Sequence, residues 1–306
     1  MALRGSLVAA SVMVLLAGTA CIDLVSADLN KYVEREEKRF ATSGTPDVSL
    51  STFDGSIEIR PWDKSEVEVI VEKRAVDKDA AATIEVHARQ DGNRVTVDVK
   101  TQKTSGFGFH FNHRSAKLIV SAPASSNISA ASGDGSIDVA RISGHLELRS
   151  GDGSIQGREL NGDVRAHTGD GSIRLDGVNG TLDVDTGDGS VAASGKLTSV
   201  RARTGDGSVT VRAGAGSAAE TDWTITTGDG SVTLELPDGF NGELDAHTGD
   251  GRIHMNDITL SNVTGEIGRN TVRGRLGSGG RSVRVRTGDG SITLRKALGA
   301  EATPDR

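Results

Sequence analysis

The chain has 306 residues, 35% of them apolar and 25% charged, which excludes a disordered tail and leaves room for one large or two ordinary domains. Aromatics make up only 3% while glycines number 40, so the core must be thin and built from Val, Ile, Leu and Ala, as in a narrow β architecture with many turns. The net charge of −7, with both signs interspersed, leaves no basic footprint and argues against nucleic acid or an anionic membrane surface as partners.

Residues 1–20 pair a positive start at Arg4 with an apolar run from Leu7 to Ala17 and small residues before Cys21, the pattern of an export signal. The run is too short and one-sided for a spanning helix. Cys21 is the only cysteine, so it forms no intramolecular disulfide. Its position resembles that of the acylated cysteine in bacterial lipoprotein signals, although Gly18 stands where those signals carry a large aliphatic residue. The alternative is cleavage after "VSA", Val25 to Ala27, which would remove Cys21. On either reading the mature chain leaves the cytoplasm.

Residues 21–44 are polar and charged and read as a tether. Residues 45–125 read as an irregular β region: "VSLSTFDGSIEIRPW", "SEVEVIVEKRAV", "TIEVHARQDGNRVTVDVKTQ" and "SAKLIVSAP" alternate as strands do, and "QDGNR" is a hairpin signal. These strands are expected to pair with one another and cap the N-terminal end of the region from residue 126 onward. Within them "SGFGFHFNHR", residues 105–114, clusters Phe107, Phe109 and Phe111 with His110 and His113. It reads either as a strand packed on the cap or as an exposed apolar loop that touches a partner or lipid. Two histidines without further ligands make a poor metal site.

From residue 126 to 296 the chain repeats. Gly-Asp-Gly begins at Gly133, Gly151, Gly169, Gly187, Gly205, Gly228, Gly249 and Gly288; the first four intervals are 18 residues and the rest 23, 21 and 39. "FDGSIEIRPW" at Phe53 is an earlier relative. In "GDGSIRLDGVNGTLDVDT" Ile173 and Leu175, then Leu182 and Val184, alternate with polar residues, so each repeat predicts two short half-buried strands and two turns. Two arrangements satisfy this: an antiparallel meander with Asp-Gly in type I′ hairpins, or a solenoid with one coil per repeat and equivalent strands stacked in parallel. Opposite charges at Glu147, Arg165, Asp183 and Arg201 favour the solenoid, with Arg149, His167, Asp185 and Arg203 partly complementary beside them. Residues 297–306 read as a disordered tail.

The lipoprotein-like start, "DGSIEIRPWDKSEVEV", "LIVSAPASSNISAASGDGSIDV" and the repeated "GDGSI" together resemble the bacterial adhesin-like β-strand-repeat family DUF4097 over about residues 45–296. The resemblance implies an exported, often membrane-associated, β-solenoid-like protein and brings no catalytic residues.

The Gly-Asp-Gly units admit several chemistries. A phosphate loop fails because a strand, not a helix, succeeds the glycines. Calcium is a candidate cofactor, since stacking would align Asp134, Asp152, Asp170, Asp188 and Asp206 in one row of repelling carboxylates. Yet calcium-binding β-rolls use their glycine-aspartate unit twice per 18 residues, and "DVDTGDG" misses the EF-hand spacing. The plain alternative is a tight turn, with glycine supplying positive φ and aspartate bonding nearby amides. No G-x-S-x-G or H-E-x-x-H appears and the seven histidines are scattered. The expected function is thus a non-catalytic adhesion or scaffold surface of the cell envelope, with an envelope or surface protein or glycan as partner. The alternatives are a carbohydrate-active β-helix enzyme and an envelope-stress accessory that binds a membrane partner.

Overall fold

The alternation of inward Ile, Val and Leu with outward polar residues becomes a run of short strands in a computed structural model that describes residues 32–102, 114–264 and 269–297. In chain order these are β1 (Tyr32–Ala41), β2 (Asp47–Thr52), β3 (Ile57–Trp62), β4 (Glu66–Ala75), the short helix α1 (Lys78–Ala82), β5 (Ile84–Asp91), β6 (Arg94–Thr101), β7 (Ser115–Pro123), β8 (Asn127–Ser132), β9 (Ile137–Ala140), β10 (Ser143–Ser150) and β11 (Ile155–Arg158). The chain continues through β12 (Asn161–Thr168), β13 (Ile173–Thr186), β14 (Val191–Thr204), β15 (Val209–Ala213), β16 (Trp223–Thr227), β17 (Val232–Leu236), β18 (Gly242–Thr248), β19 (Ile253–Asn256), β20 (Leu260–Thr264), β21 (Thr271–Leu276), β22 (Ser282–Thr287) and β23 (Ile292–Lys296).

Equivalent strands lie parallel and 18 residues out of step: Leu146 pairs with Val164, Val164 with Leu182, and Leu182 with Val200. Parallel pairing rules out the hairpin reading of Asp-Gly, because a two-residue turn joins only antiparallel strands. The protein is a β-solenoid in which each coil adds one strand to each of two sheets. Sheet 1 runs β6, β2, β8, β10, β12, the second half of β13, the second half of β14, β16, β22, β18. Sheet 2 runs β7, β3, β9, β11, the first half of β13, the first half of β14, β15, β17, β23, β19.

The core is a set of ladders between the sheets. The residue after each Gly-Asp-Gly-Ser forms one of them: Ile137, Ile155, Ile173, Val191, Val209, Val232 and Ile292 stack in register, each at most 1% exposed. β-Branched side chains suit this place because their stiff χ1 packs well on a pleated surface, and each such burial contributes about 1.5–3 kcal/mol.

Three features depart from the sequence-based expectation. Tyr32–Ala41, expected within the tether, form β1, which lies antiparallel against β4. Their alternating charges read as a solvated segment, but Glu36 and Lys38 sit in register with Val71 and Val69, Lys73 reaches Glu36 at 3.4 Å, and Arg35 pairs with Glu72 at 2.7 Å. A charged outermost strand resists edge-to-edge pairing. Second, residues 45–125 are more than a cap. β2 and β3 pair in parallel with β8 and β9, and β6 and β7 form a further coil outside them; the closing strands are β1, β4 and β5. "QDGNR" is the expected hairpin, joining β5 to β6 through Gly92 at φ +56°.

Third, the coils are not stacked in chain order. β22 lies between β16 and β18, and β23 between β17 and β19, so the last repeat fills a gap left two repeats earlier. The 39-residue interval that precedes it houses β20 and β21, and β21 closes sheet 1 antiparallel to β18.

Candidate functional site

The Gly-Asp-Gly units are the corners between the two sheets. Backbone bonds run from corner to corner: Gly151 N donates to Gly133 O at 2.5 Å, Gly169 to Gly151 at 2.5 Å, Gly187 to Gly169 at 2.6 Å and Gly205 to Gly187 at 2.5 Å. A Cβ on Gly187 or Gly205 would stand 2.7 Å from the carbonyl oxygen of the corner below, too close for any side chain. Glycine is needed here because the corners touch, not because φ is positive. None of the repeat's corner glycines has φ in the left-handed range; that demand falls on the link between the two strands, at Gly144 (+149°), Gly162 (+111°) and Gly180 (+141°).

The residue before each corner supplies a second tie that the repeat pattern alone does not reveal. Ser150, Thr168, Thr186, Thr204 and Thr227 are buried, and their hydroxyls donate to the carbonyls of Gly135, Gly153, Gly171, Gly189 and Gly207 of the preceding corner at 2.7–2.9 Å. Its signal in the sequence is the Ser or Thr that stands before every Gly-Asp-Gly. Thr186→Val, which keeps the shape and removes the donor, is expected to lower stability by about 1–2 kcal/mol in urea unfolding, since it strands a buried carbonyl.

Asp134, Asp152, Asp170, Asp188 and Asp206 line up along this edge and all are exposed. Among the described residues no three His, Cys, Asp or Glu side chains stand close enough to hold a metal ion, so the row offers single carboxylates in solvent rather than a cage. Cys21, Phe107, Phe109, Phe111, His110 and His113 lie outside the described residues.

The outward faces carry the remaining chemistry. On sheet 1 the series Glu147, Arg165, Asp183, Arg201 stacks in register as expected, with Arg201 3.8 Å from Asp183. In the adjoining series His167 Nδ1 lies 3.1 Å from Asp185 Oδ1. Farther along, Asp245 accepts from Arg286 at 2.5 Å and Arg273 at 3.1 Å. Burial pushes its carboxyl up, but the two guanidiniums outweigh this and hold it below the usual carboxylate range. With the native pKa depressed, the contribution to stability is present above the unfolded value of about 3.9 and is lost as pH falls through the native value. The difference in unfolding midpoint between the wild type and Asp245→Asn is therefore expected to narrow as pH is lowered from about 6 to below about 3.

On sheet 2 Glu235 is nearly buried between Arg212, 3.1 Å away, and Arg295, its neighbours in register on β15 and β23. This cross-strand triad ties three coils together. A hollow of about 460 Å³ is an open groove where the loop at Ser217–Ala219 meets Gly239, Asn241 and Gly279–Arg281. It holds no carboxylate or histidine.

These features define a class: a two-sheet parallel β-solenoid with a hydroxyl-laced corner and outward faces of mostly polar and charged side chains held in register. The chain belongs to the Toastrack family DUF4097, whose model matches residues 46–295. Among solved structures, it is similar to a candidate adhesin from Bacteroides fragilis at 12% identity, covering 86% of this chain and 96% of that one with a TM-score of 0.41. A candidate lipid-binding protein from Parabacteroides distasonis matches at 12% identity over 86% and 97% with a TM-score of 0.42. A candidate adhesin from Parabacteroides merdae matches at 9% identity over 86% and 96% with a TM-score of 0.36. No curated protein matches the chain in sequence.

Proposed function

We propose that this protein is an exported, non-catalytic scaffold of the cell envelope that presents its sheets to an envelope or surface protein or glycan. The observation that carries this reading is the continuous outward face of sheet 1, where polar and charged side chains stay in register from β6 to β18. A parallel stack held at every corner is a rigid support for such a face and needs no moving part to work. Membership of DUF4097 agrees with it. Export rests on residues 1–20, and Cys21 is the proposed point of lipid attachment, where two or more acyl chains would hold the protein at a membrane.

The test is to incubate the purified chain with isolated envelope fractions and envelope glycans and to measure both sedimentation and release of reducing ends. Saturable co-sedimentation without new reducing ends is expected. Turnover that disappears when one exposed carboxylate cluster is replaced, in a variant whose unfolding midpoint is unchanged, would establish the carbohydrate-active alternative instead.

A further inference from the structure

Three neighbouring strands of sheet 1 carry no acid on their outward positions. β14 presents Ser199, Arg201 and Arg203, β16 presents Thr224 and Thr226, and β22 presents Ser282, Arg284 and Arg286. The register sets Thr224 between Arg201 and Arg284, and Thr226 between Arg203 and Arg286. Two strand spacings, about 9.6 Å, separate the two rows of arginine, with hydroxyls between them. Arg286 is paired with Asp245 and Arg201 more loosely with Asp183. Arg203 and Arg284 are exposed and make no ion pair with any described residue.

The acids nearest these two arginines are engaged elsewhere. Asp185 faces Arg203 in register but lies against His167 at 3.1 Å. Asp245 faces Arg284 but is bonded to Arg286 and Arg273. Asp222, at the edge of β16, accepts from Ser282 N at 3.0 Å. Arg203 and Arg284 are thus two guanidiniums without an ion-pair partner among the described residues, set on either side of Thr224 and Thr226, and their charge is complemented by an anion brought from outside.

We propose that this array binds an acidic polysaccharide. Arg203 and Arg284 take carboxylate or sulfate groups on sugars two strands apart, and Thr224 and Thr226 hydrogen-bond to sugar hydroxyls between them. Two guanidiniums two strands apart, with outward hydroxyls between them, suit a polymer lying across the strands rather than a small anion. These strands present no outward aromatic on which a nucleobase would stack. They also present no outward apolar side chain that would enter a lipid surface. The inference rests on the scaffold reading and names the partner's chemistry.

The test measures binding of the full chain to polygalacturonate and to dextran sulfate, with neutral dextran and a single-stranded oligonucleotide as comparisons, at low and high salt. Wild type is expected to bind at least one acidic glycan in a salt-sensitive way and neutral dextran not at all. Arg203→Gln with Arg284→Gln should weaken that binding by about tenfold. Arg89→Gln with Arg174→Gln, which removes the same charge from other surfaces, should change it by less than about twofold. The inference is overturned if neither acidic glycan binds, if both double variants lose binding equally, or if the oligonucleotide binds the array as tightly. If envelope fractions still co-sediment with wild type in any of these cases, the scaffold reading stands and only the acidic glycan falls.

Discussion

Replacing Gly189 with alanine is expected to destabilise the protein by about 3 kcal/mol or more, while Asp188→Ala in the same corner changes stability by no more than about 0.5 kcal/mol. The difference lies in what each added or removed atom meets. A Cβ on Gly189 would press on the backbone of the corner below, with the carbonyl carbon of Gly171 at 2.5 Å and its oxygen closer still. Those atoms are not a side chain that can swing away: Gly171 O already accepts from Thr186 Oγ1 at 2.8 Å. Relief would require the two coils to part, which would stretch the corner bond from Gly187 N to Gly169 O. The Asp188 side chain points out of this corner into solvent and bonds to no described residue. Thermal and urea unfolding of the two variants compare them directly, and equal losses would mean that the carboxylate has a structural partner.

Trp223→Ala is expected to lower stability by about 3–5 kcal/mol, the usual range for emptying a buried tryptophan site. Trp223 is completely buried and takes a place in the inward ladder of sheet 1 next to Val283. Its ring meets Phe240 edge-on, with centroids 5.0 Å apart and planes at 61°, so it links β16 to the turn before β18. Coils of a solenoid contact only their neighbours, so the damage should concentrate in the coils built from β14, β16, β22 and β18. Limited proteolysis is expected to cut first in the 214–222 loop, with the coils from β8 to β12 still protected. Trp223→Phe should recover part of the loss, because it restores much of the volume and an aromatic edge for Phe240.

Much of this fold is legible in the sequence because its two periods are written plainly. Alternation of Ile173 and Leu175 with polar neighbours marks the strands, and the 18-residue spacing sets the register that places Glu147 beside Arg165 and Arg165 beside Asp183. The features that escape have physical reasons. β1 is hidden because Glu34, Glu36 and Lys38 bury their stems, while a pattern of residue types records only their charged heads. The role of the corner glycines is hidden because positive φ and lack of room leave the same residue in the sequence. Only the stacked backbone tells them apart.

The displaced last coil is illegible for another reason. Nothing in the composition of Ser282–Lys296 distinguishes a coil that fills a gap from one that extends the end, since both present the same ladder of Val283, Val285, Ile292 and Leu294. The same displacement creates the arginine array. Arg203 and Arg284 are 81 positions apart in numbering, and in chain order interspersed signs conceal them; only placing β22 beside β16 brings them together.

The claim that Gly-Asp-Gly corners stack directly on one another, out of chain order at this end, is most directly tested by oxidative cross-linking in a Cys21→Ser background, which has no other cysteine. Gly288 N donates to Gly228 O at 2.6 Å and Gly249 N to Gly288 O at 2.7 Å, so the Asp289 corner lies between those of Asp229 and Asp250. One strand spacing of about 4.8 Å is within disulfide reach, and two are beyond it. Asp229→Cys with Asp289→Cys, and Asp250→Cys with Asp289→Cys, are predicted to cross-link readily, while Asp229→Cys with Asp250→Cys stays reduced. Efficient cross-linking of the 229–250 pair, with none at 229–289, would contradict the stack.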